Sequence, residues 1–447
     1  MNTSISFQNS NIDWVGSIPS SWEMKKGKYL FSNKKEINSE NQCDNLLSLT
    51  LFGVLNKDME SSEGLRPLNY KTYQIFEKND MVFKLIDLEN KKTSRVGLVH
   101  EKGIMSPVYI RLIPKENSLP KYFYYQYYDL YKKYIFNYLG SGVRSSLNPT
   151  DLMEIPLVLP PLPEQTQIVS FLDTKTQKID ELIEKTEQKI ELLKEKRTSL
   201  INHCVTKGLN PNVDMKDSGV EWIGEIPSHW DFIPTKYFTI HKNGIQTGPF
   251  GTQLNTKDYV DNGVKVMNQK TLIDEDYDIG EEFISYEKYE DLKVFEVLDG
   301  DMIMGTRGSF GKGKRTTFGK VSIVPKGLGD CVLHPCLIRI RLKENLILKN
   351  YYYFYINDST FFLEDIRNTS NSTTIEVIYG ITLKDIKIPV PPFKEQQQIL
   401  KYINEQTQNI DSTIEKESKR IELLKEYRQS LISEVVTGKV DVRDWKE

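Results

Sequence analysis

The chain of 447 residues is too long for a single compact core, and its length predicts two or three domains. Hydrophobic residues make up 38% of the sequence and charged residues 27%, which excludes disordered and fibrous proteins. A net charge of −3 argues against a protein that coats nucleic acid with its whole surface.

The small number of cysteines and histidines and the absence of long apolar runs exclude further classes of protein. Four cysteines and five histidines are too few and too scattered for a disulfide framework or a zinc site, so we expect no metal and no other cofactor. The first residues lack the basic start and apolar run of a signal peptide, and no stretch approaches the roughly 18 apolar residues of a membrane span. We therefore expect a cytoplasmic protein without membrane contact.

The chain is a two-fold repeat. "WVGSIPSSW" (residues 14–22) returns 208 residues later as "WIGEIPSHW" (222–230), and "PPLPEQTQI" (160–168) returns 231 residues later as "PPFKEQQQI" (391–399). Between these landmarks shorter matches keep the same order, among them "NDMVFK" with "GDMIMG" and "SPVYIRL" with "HPCLIRI". Well-matched ends around a diverged middle predict one scaffold that carries two different working surfaces.

The two middle regions, residues 23–155 and 231–388, have the pattern of mixed α/β domains. "VYIRLI" and "CLIRIRL" predict strands, because they are rich in β-branched and aliphatic residues. "KYFYYQYYDLYKKYIF" (121–136) and "NYYYFYINDSTFFLEDI" (350–366) predict aromatic helices. We expect their tyrosines to pack on the domain core rather than to stack on bases.

A long helix is predicted after each proline-rich phrase. Prolines at the start of a helix cost no interior hydrogen bond, and alternating steps of four and three residues place the apolar side chains on one stripe. About 40 residues give each helix a length of about 60 Å. Arg197 and Arg428 hold equivalent positions in this stripe, either as a register device or as a partner contact. The predicted seam comprises Ile179, Ile183, Thr186, Ile190, Leu193, Arg197, Leu200 and Cys204, and then Ile410, Ile414, Glu417, Ile421, Leu424, Arg428, Leu431 and Val435.

A helix with one apolar stripe must bury it, and two copies in one chain can bury theirs against each other. An antiparallel pair places the two domains at opposite ends, whereas a parallel pair would crowd them. The predicted fold class is therefore α+β: two α/β domains joined by two long helices that form an antiparallel coiled coil, with an internal pseudo-two-fold repeat. The predicted boundaries are 1–155 for the first domain, 156–208 for the first helix, 209–388 for the second domain, and 389–447 for the second helix and tail.

Three motifs come close to catalytic signatures, and each lacks what the chemistry needs. "GSFGKGKR" has the spacing of a phosphate-binding loop, but Arg315 stands where Ser or Thr would hold Mg²⁺. "LPPL" and "VPPF" resemble the loop of amino-methyltransferases, but Leu159 and Val390 offer no side-chain acceptor to the target amino group. Asp80 followed by "ENK" (89–91) resembles a nuclease set in a segment where chance matches are common. The sequence predicts no catalysis.

The repeated landmarks resemble a known family over essentially the whole chain. Two variable regions, each introduced by W-x-G-x-I-P-x-x-W and closed by PP-x-x-EQ-x-x-I with a heptad helix, resemble the DNA-specificity subunit of type I restriction–modification systems. The resemblance implies two target-recognition domains, one for each half of a bipartite, asymmetric DNA site. It also implies that the helices act as a ruler for a fixed spacer.

The same resemblance implies the partners of the chain. These are double-stranded DNA, two methyltransferase (modification) subunits that bring S-adenosylmethionine, and restriction subunits. The chain itself would be non-catalytic. The assembled complex would be an adenine methyltransferase and an ATP-dependent endonuclease.

The candidate DNA contacts are basic or amide residues beside glycines, where the backbone can approach closely. Arginine pairs well with guanine and glutamine with adenine, whereas lysine more often contacts phosphate. The candidates are Lys91, Lys92, Arg95 and Arg144 in the first domain, and Gln246, Thr247, Arg307, Lys312, Lys314 and Arg315 in the second.

A non-catalytic scaffold that assembles proteins or binds carbohydrate is the competing hypothesis. The net charge favours it slightly. Residues 274–301 hold twelve acids and two lysines, whereas residues 305–349 hold ten basic residues and two acids. This division either restricts anion contact to one face or is chance clustering on a solvated surface.

Overall fold

The computed structural model describes residues 6–57, 69–89, 93–115, 118–140, 146–274, 276–277, 282–308, 317–369 and 376–446. The chain divides into two compact units. Unit 1 comprises Met1–Glu187 and Ser418–Glu447, and unit 2 comprises Gln188–Glu417. Each unit therefore contains one α/β domain together with parts of both long helices.

Short strands dominate the chain before the first long helix. The strands are β1 (Phe7–Asn9), β2 (Ser17–Pro19), β3 (Glu23–Lys26), β4 (Phe31–Ser32), β5 (Leu47–Thr50), β6 (Gly53–Asn56), β7 (Gln74–Phe76), β8 (Met81–Phe83), β9 (Val96–Leu98), β10 (Gly103–Met105), β11 (Ile110–Pro114) and β12 (Pro156–Leu159). The helices are α1 (Gly27–Leu30), α2 (Pro120–Lys132), α3 (Ile135–Leu139), α4 (Pro149–Glu154) and the long α5 (Leu162–Lys207).

The second half repeats this order with additional strands. Its strands are β13 (Met215–Asp217), β14 (Glu225–Pro227), β15 (Asp231–Pro234), β16 (Ile245–Thr247), β17 (Tyr259–Val260), β18 (Val264–Met267), β19 (Phe283–Ile284), β20 (Glu296–Val297), β21 (Met302–Gly305), β22 (Arg307–Gly308), β23 (Val321–Ile323), β24 (Cys331–Leu333), β25 (Leu337–Ile340), β26 (Glu376–Val377) and β27 (Lys387–Val390). Its helices are α6 (Thr235–Phe238), α7 (Lys270–Asp274), α8 (Tyr286–Asp291), a 3-10 helix (Lys293–Phe295), α9 (Lys349–Asn357), α10 (Phe361–Thr369), α11 (Gly380–Asp385) and the long α12 (Phe393–Val436).

Both units are built on the same four-stranded antiparallel sheet. Its strand order is β4–β11–β8–β9 in unit 1 and β16–β25–β21–β23 in unit 2. The central pairs, β11 with β8 and β25 with β21, carry the matched "IRL/IRI" and "DMVF/DMIM" sequences. Unit 2 adds a five-stranded sheet, β17–β19–β18–β24–β20, which has its own hydrophobic core.

The acid of the repeated Asp-Met pair is structural in both sheets. Arg111 Nε lies 2.5 Å from Asp80 Oδ2, and both side chains are buried. In unit 2, Arg341 Nε donates to Asp301 Oδ1 at 2.7 Å. An arginine on the neighbouring strand (Arg111) or directly after it (Arg341) therefore pairs with each acid, and the nuclease motif considered for Asp80 does not apply.

The predicted aromatic helices are confirmed, with a break in each. α2 and α3 are separated at Tyr134, which has a left-handed backbone (φ 59°), and α9 is separated from α10 by residues 358–360. Several of their tyrosines are fully buried, among them Tyr122, Tyr127 and Tyr351. The aromatic face of each of these helices thus packs on the core of its domain.

The repeated glutamine ties each aromatic helix to its long helix. The amide oxygen of Gln165 accepts a hydrogen bond from Leu119 N at 3.0 Å, and its Nε2 donates to Pro160 O at 2.9 Å. In unit 2, Gln396 accepts from Leu348 N and donates to Pro391 O, both at 2.8 Å. These leucines immediately precede α2 and α9. One amide thus holds the start of two helices together.

A buried tyrosine then joins each aromatic helix to the end of the other long helix. Tyr122 Oη donates to Val436 O at 3.1 Å in unit 1, and Tyr351 Oη donates to Val205 O at 3.0 Å in unit 2. The last four carbonyls of a helix lack partners within it, so these hydroxyls satisfy groups that would otherwise be buried alone. Each domain is therefore held by the start of one long helix and the end of the other.

The second tryptophan of each W-x-G-x-I-P-x-x-W motif packs on the same helix end. Gly208 and Gly438 follow α5 and α12 with φ values of +75° and +74°, which favour glycine at a helix terminus. A Cβ on Gly208 would lie 3.0 Å from Trp230, and one on Gly438 would lie 2.9 Å from Trp22. Trp22 Nε1 also donates to Glu164 Oε2 at 2.8 Å, and His229 Nε2 lies 2.8 Å from Glu395 Oε2, so the two landmark phrases meet in space within each unit.

Segments of α5 and α12 contact each other within each unit. In unit 1, Arg428 donates to Asp180 at 2.8 Å and Lys425 lies 3.8 Å from Glu187. Within these contacts the residue number rises along α5 as it falls along α12. Of the sixteen predicted seam residues, nine are buried and the other seven are half-buried.

Unit 2 repeats this pairing at equivalent positions. Arg197 donates to Asp411 at 3.1 Å and Lys189 lies 2.5 Å from Glu417. Arg197 and Asp411 are the repeat equivalents of Arg428 and Asp180. The two seam arginines therefore form the same ion pair with the opposite helix.

Replacing Gln396 by Ala should lower the free energy of unfolding of unit 2 by about 1–3 kcal/mol, because Leu348 N–H and Pro391 O then lose their buried partner. Gln398→Ala is the matched control, since Gln398 is exposed on the same helix; surface changes of this kind usually stay within about 0.5 kcal/mol. Urea unfolding, monitored by circular dichroism, measures the free energy of unfolding of both variants. Equal stabilities of the two variants would show that the amide does not hold the helices.

Candidate nucleic-acid interface

One end of the four-stranded sheet of unit 2 brings distant loops together. Gly248 N donates to Leu337 O at 2.9 Å, and Thr306 N donates to Cys336 O at 3.0 Å. The ends of β16 and β21 therefore flank the start of β25. Gln246 and Thr247 lie on β16 and Arg307 follows β21, so these three predicted contacts emerge at one sheet end.

Residues 376–381, which we call the crossing segment, run over this sheet end. Val377 pairs with Arg307, and Ile378 N donates to Thr306 O at 2.9 Å. At its other end, a Cβ on Gly380 would lie 2.8 Å from Thr247 Oγ1. The crossing segment thus spans from Arg307 to Thr247, although these residues are sixty positions apart in sequence.

Polar groups line the same surface. Arg307 is exposed, and its carbonyl accepts a hydrogen bond from Gln269 Nε2 at 2.7 Å. Gln246 is half-buried, and its Nε2 donates to Thr247 O at 2.9 Å. The arrangement offers a guanidinium and amides, which are the groups that pair with base edges and phosphates.

His334 lies beside this cluster. Burial lowers the pKa of His334; Glu282 opposes the shift and Arg307 adds to it. The imidazole is therefore neutral at physiological pH. Its Nδ1 accepts a hydrogen bond from Cys336 N at 3.1 Å, so its Nε2 carries the proton and can donate. A Cβ on Gly248 would lie 2.1 Å from His334 O, so only glycine permits this close approach of the two loops.

Sequence reasoning missed several residues of this surface. Gln269 and His334 were not predicted, because only their contacts across the sheet place them there. Phe250, Tyr379 and Ile381 are also exposed around it. The glycines on both sides of Phe250, in "GPFG", were the one sequence signal of an exposed loop.

The corresponding sheet end of unit 1 is built by the same contact. Leu147 N donates to Leu85 O at 3.0 Å, as Ile378 does to Thr306 in unit 2. In the turn between β5 and β6, Phe52 N donates to Thr50 Oγ1, and the exposed Phe52 is followed by glycine, as Phe250 is. Each unit therefore exposes a phenylalanine beside a glycine.

Arg95 does not lie on the surface as predicted. Its side chain is buried (1% exposed), and its guanidinium donates to the carbonyls of Lys84, Ile86 and Asp87. A guanidinium engaged in shaping a turn is not presented to a ligand, and we do not retain Arg95 among the DNA contacts. Lys91, Lys92, Arg144, Lys312, Lys314 and Arg315 lie outside the described residues.

The histidines, cysteines and acids of the described residues form no group of three or more that could hold a metal ion. Among the helices of the described ranges, none is both long and apolar enough to cross a membrane.

Known proteins similar to this chain share one description. The family model for the type I restriction modification DNA specificity domain matches residues 19–192 and 245–425. The MjaX type I restriction enzyme specificity subunit described in Methanocaldococcus jannaschii is 24% identical, with 96% of each chain covered. The MjaVIII specificity subunit of the same organism is 25% identical over 77% of this chain and 76% of that one.

Solved structures share the fold. A chain from a structure on assembly and conformational transition of the type I R-M system has a TM-score of 0.68 at 14% identity, covering 95% of this chain and 99% of that chain. The HsdS subunit from Thermoanaerobacter tengcongensis has a TM-score of 0.52 at 13% identity, covering 95% and 98%. Because the family model covers two segments that together make up most of the sequence, the chain belongs to the family of type I restriction–modification DNA specificity proteins.

Proposed function

We propose that the chain is the subunit that selects the DNA sequence for a type I restriction–modification complex, and that it reads a bipartite, asymmetric site with a fixed spacer. The observation that carries this proposal is the family match, which falls once on each half of the repeat. The chain is non-catalytic and acts in the cytoplasm, and the chemistry belongs to its partners.

Each unit is proposed to read one half-site with the loop end of its four-stranded sheet. In unit 2, Arg307, Gln246 and Thr247 converge there with the crossing segment. The scaffold of the two units is repeated, whereas their loops differ in sequence. Two unlike loop surfaces favour an asymmetric site over a palindrome.

The two long helices are proposed to form an antiparallel coiled coil that acts as a ruler for the spacer. The pairing of Asp180 with Arg428 in unit 1, and of Arg197 with Asp411 in unit 2, supports opposite directions. α5 has 46 residues and α12 has 44, so each is about 65–70 Å long. A stiff helix pair specifies a distance, whereas a flexible linker would allow a range of spacers.

The modification subunits are proposed to dock on the long helices, one on each repeat. Leu192 (64% exposed) and Leu423 (52% exposed) hold equivalent positions in the two helices, outside the seam. An apolar side chain exposed at both equivalent positions supports a protein contact there. The restriction subunits are proposed to join through the modification subunits.

Insertion of four residues into both helices, after Gln188 and after Lys419, should lengthen the recognised spacer by one or two base pairs. Four residues add about 6 Å of helix, a base pair is about 3.4 Å, and coiled coils accommodate four-residue insertions. The measurement is the methylated motif, mapped by sequencing DNA modified by the assembled complex. The same insertion in the exposed turn after Asn212 is the control and should leave the spacer unchanged. An unchanged spacer after the helix insertions would refute the ruler.

Arg307→Ala should relax the choice of base at one position of one half-site and weaken binding there about fivefold or more, since a bidentate arginine–guanine pair contributes about 1–3 kcal/mol. Binding of the complex to motif variants is measured at several salt concentrations. Arg367→Ala is the matched control, because this exposed arginine pairs with Glu364 on α10. A uniform, salt-sensitive loss would mean phosphate contact instead. No change in DNA binding would favour the protein- or carbohydrate-binding scaffold.

Leu192→Asp and Leu423→Asp should each reduce the amount of modification subunit that co-purifies with the chain, because a carboxylate would be buried in each contact. Lys178→Asp, also exposed on α5, is the control and should retain both subunits. Full co-purification with both leucine variants would place the docking surface elsewhere.

A further inference from the structure

The crossing segment of unit 2 carries two apolar side chains on its outer side. Tyr379 is 60% exposed and Ile381 is 73% exposed, whereas Ile378 and Leu383, on either side of them, are buried in the unit 2 core. The buried pair anchors the segment, so the exposed pair is presented on a fixed backbone. Two large apolar side chains that are exposed close together on one anchored segment form a small apolar patch, which supports a ligand contact there.

The surroundings of these side chains identify the ligand. Arg307 pairs with the segment at one end, and Gly380, between the two side chains, lies against Thr247 at the other. Gln269 is hydrogen-bonded to the Arg307 carbonyl. The apolar pair is therefore continuous with the cationic and amide groups of the DNA interface, which suits a nucleic acid better than an apolar protein surface.

A base pair presents one apolar group in the major groove, the C5-methyl of thymine. We propose that Tyr379 and Ile381 form an apolar contact with a thymine methyl in the half-site read by unit 2, so that this half-site contains an A·T pair chosen partly by its methyl group. This inference rests on the proposed function and adds specificity-determining residues to it. The polar side chains at either end of the segment, Arg307 and Thr247, fix the position of the protein along the bases, and the apolar pair discriminates thymine from cytosine.

The test uses the chain assembled with its modification subunits and duplexes that carry the mapped motif. Replacing thymine by deoxyuracil removes only the methyl group. At the contacted position the wild-type complex should bind the deoxyuracil duplex about fourfold more weakly, the value expected for one buried methyl group. Ile381→Ser and Tyr379→Ala should lose a similar factor on thymine DNA and show no further loss on deoxyuracil DNA.

Two variants keep the test specific. Tyr379→Phe should bind like the wild type, since the ring and not the hydroxyl makes the contact. Tyr286→Ala is the matched control, because Tyr286 is a similarly exposed tyrosine on α8 of the same unit, and it should change neither affinity nor deoxyuracil sensitivity. Equal melting temperatures of the variants exclude unfolding as the cause of a loss.

Three results would overturn the inference. They are equal affinity of the wild-type complex for thymine and deoxyuracil duplexes at every thymine of the half-site, additive losses from the protein and DNA changes, and a loss of co-purifying modification subunits in place of DNA affinity. If the Arg307→Ala complex still shows relaxed base choice in any of these cases, the proposed function stands and only the methyl contact fails. If no variant alters DNA binding, both fail.

Discussion

The fold depends on one buried amide at the start of each long helix. The chain passes from a strand to a long helix at two prolines, and such a junction leaves backbone groups that neither the helix nor the sheet satisfies. Gln165 and Gln396 supply an acceptor and a donor from one side chain, and so join the long helix to the residue that precedes the aromatic helix. An apolar residue of similar size would leave both groups buried without partners, which costs more than the hydrogen bonds contribute when made.

The remaining contacts of the scaffold depend on these glutamine hydrogen bonds. Once the aromatic helix is directed by the glutamine, Tyr122 and Tyr351 reach the last carbonyls of the opposite long helix. The left-handed glycines after those helices let Trp22 and Trp230 approach the same ends. Each unit thus depends on segments that are distant in sequence. This explains why both landmark phrases are repeated while the sequence between them diverges.

The loop surfaces vary because they do not take part in these contacts. Asp80 with Arg111, and Asp301 with Arg341, hold the central strands of the sheet from within. The loops need only a few contacts to cover the sheet end, since the crossing segment does so with a few backbone hydrogen bonds. A buried scaffold with exposed, weakly constrained loops can support two different recognition surfaces in one chain.

The sequence by itself determined the repeat, the two long helices, the aromatic helices and the family, because each of these is a local pattern or a phrase that occurs twice. It also predicted Gln246, Thr247 and Arg307 as DNA contacts from their types and their neighbouring glycines, and this prediction stays part of the proposed function. Only the tertiary structure decided that these three share a surface, that Arg95 is buried in a turn, and that Tyr379 and Ile381 stand beside Arg307. The physical reason is that burial and proximity at the sheet end arise from strand pairings between residues about thirty to ninety positions apart, and no local pattern encodes such pairings.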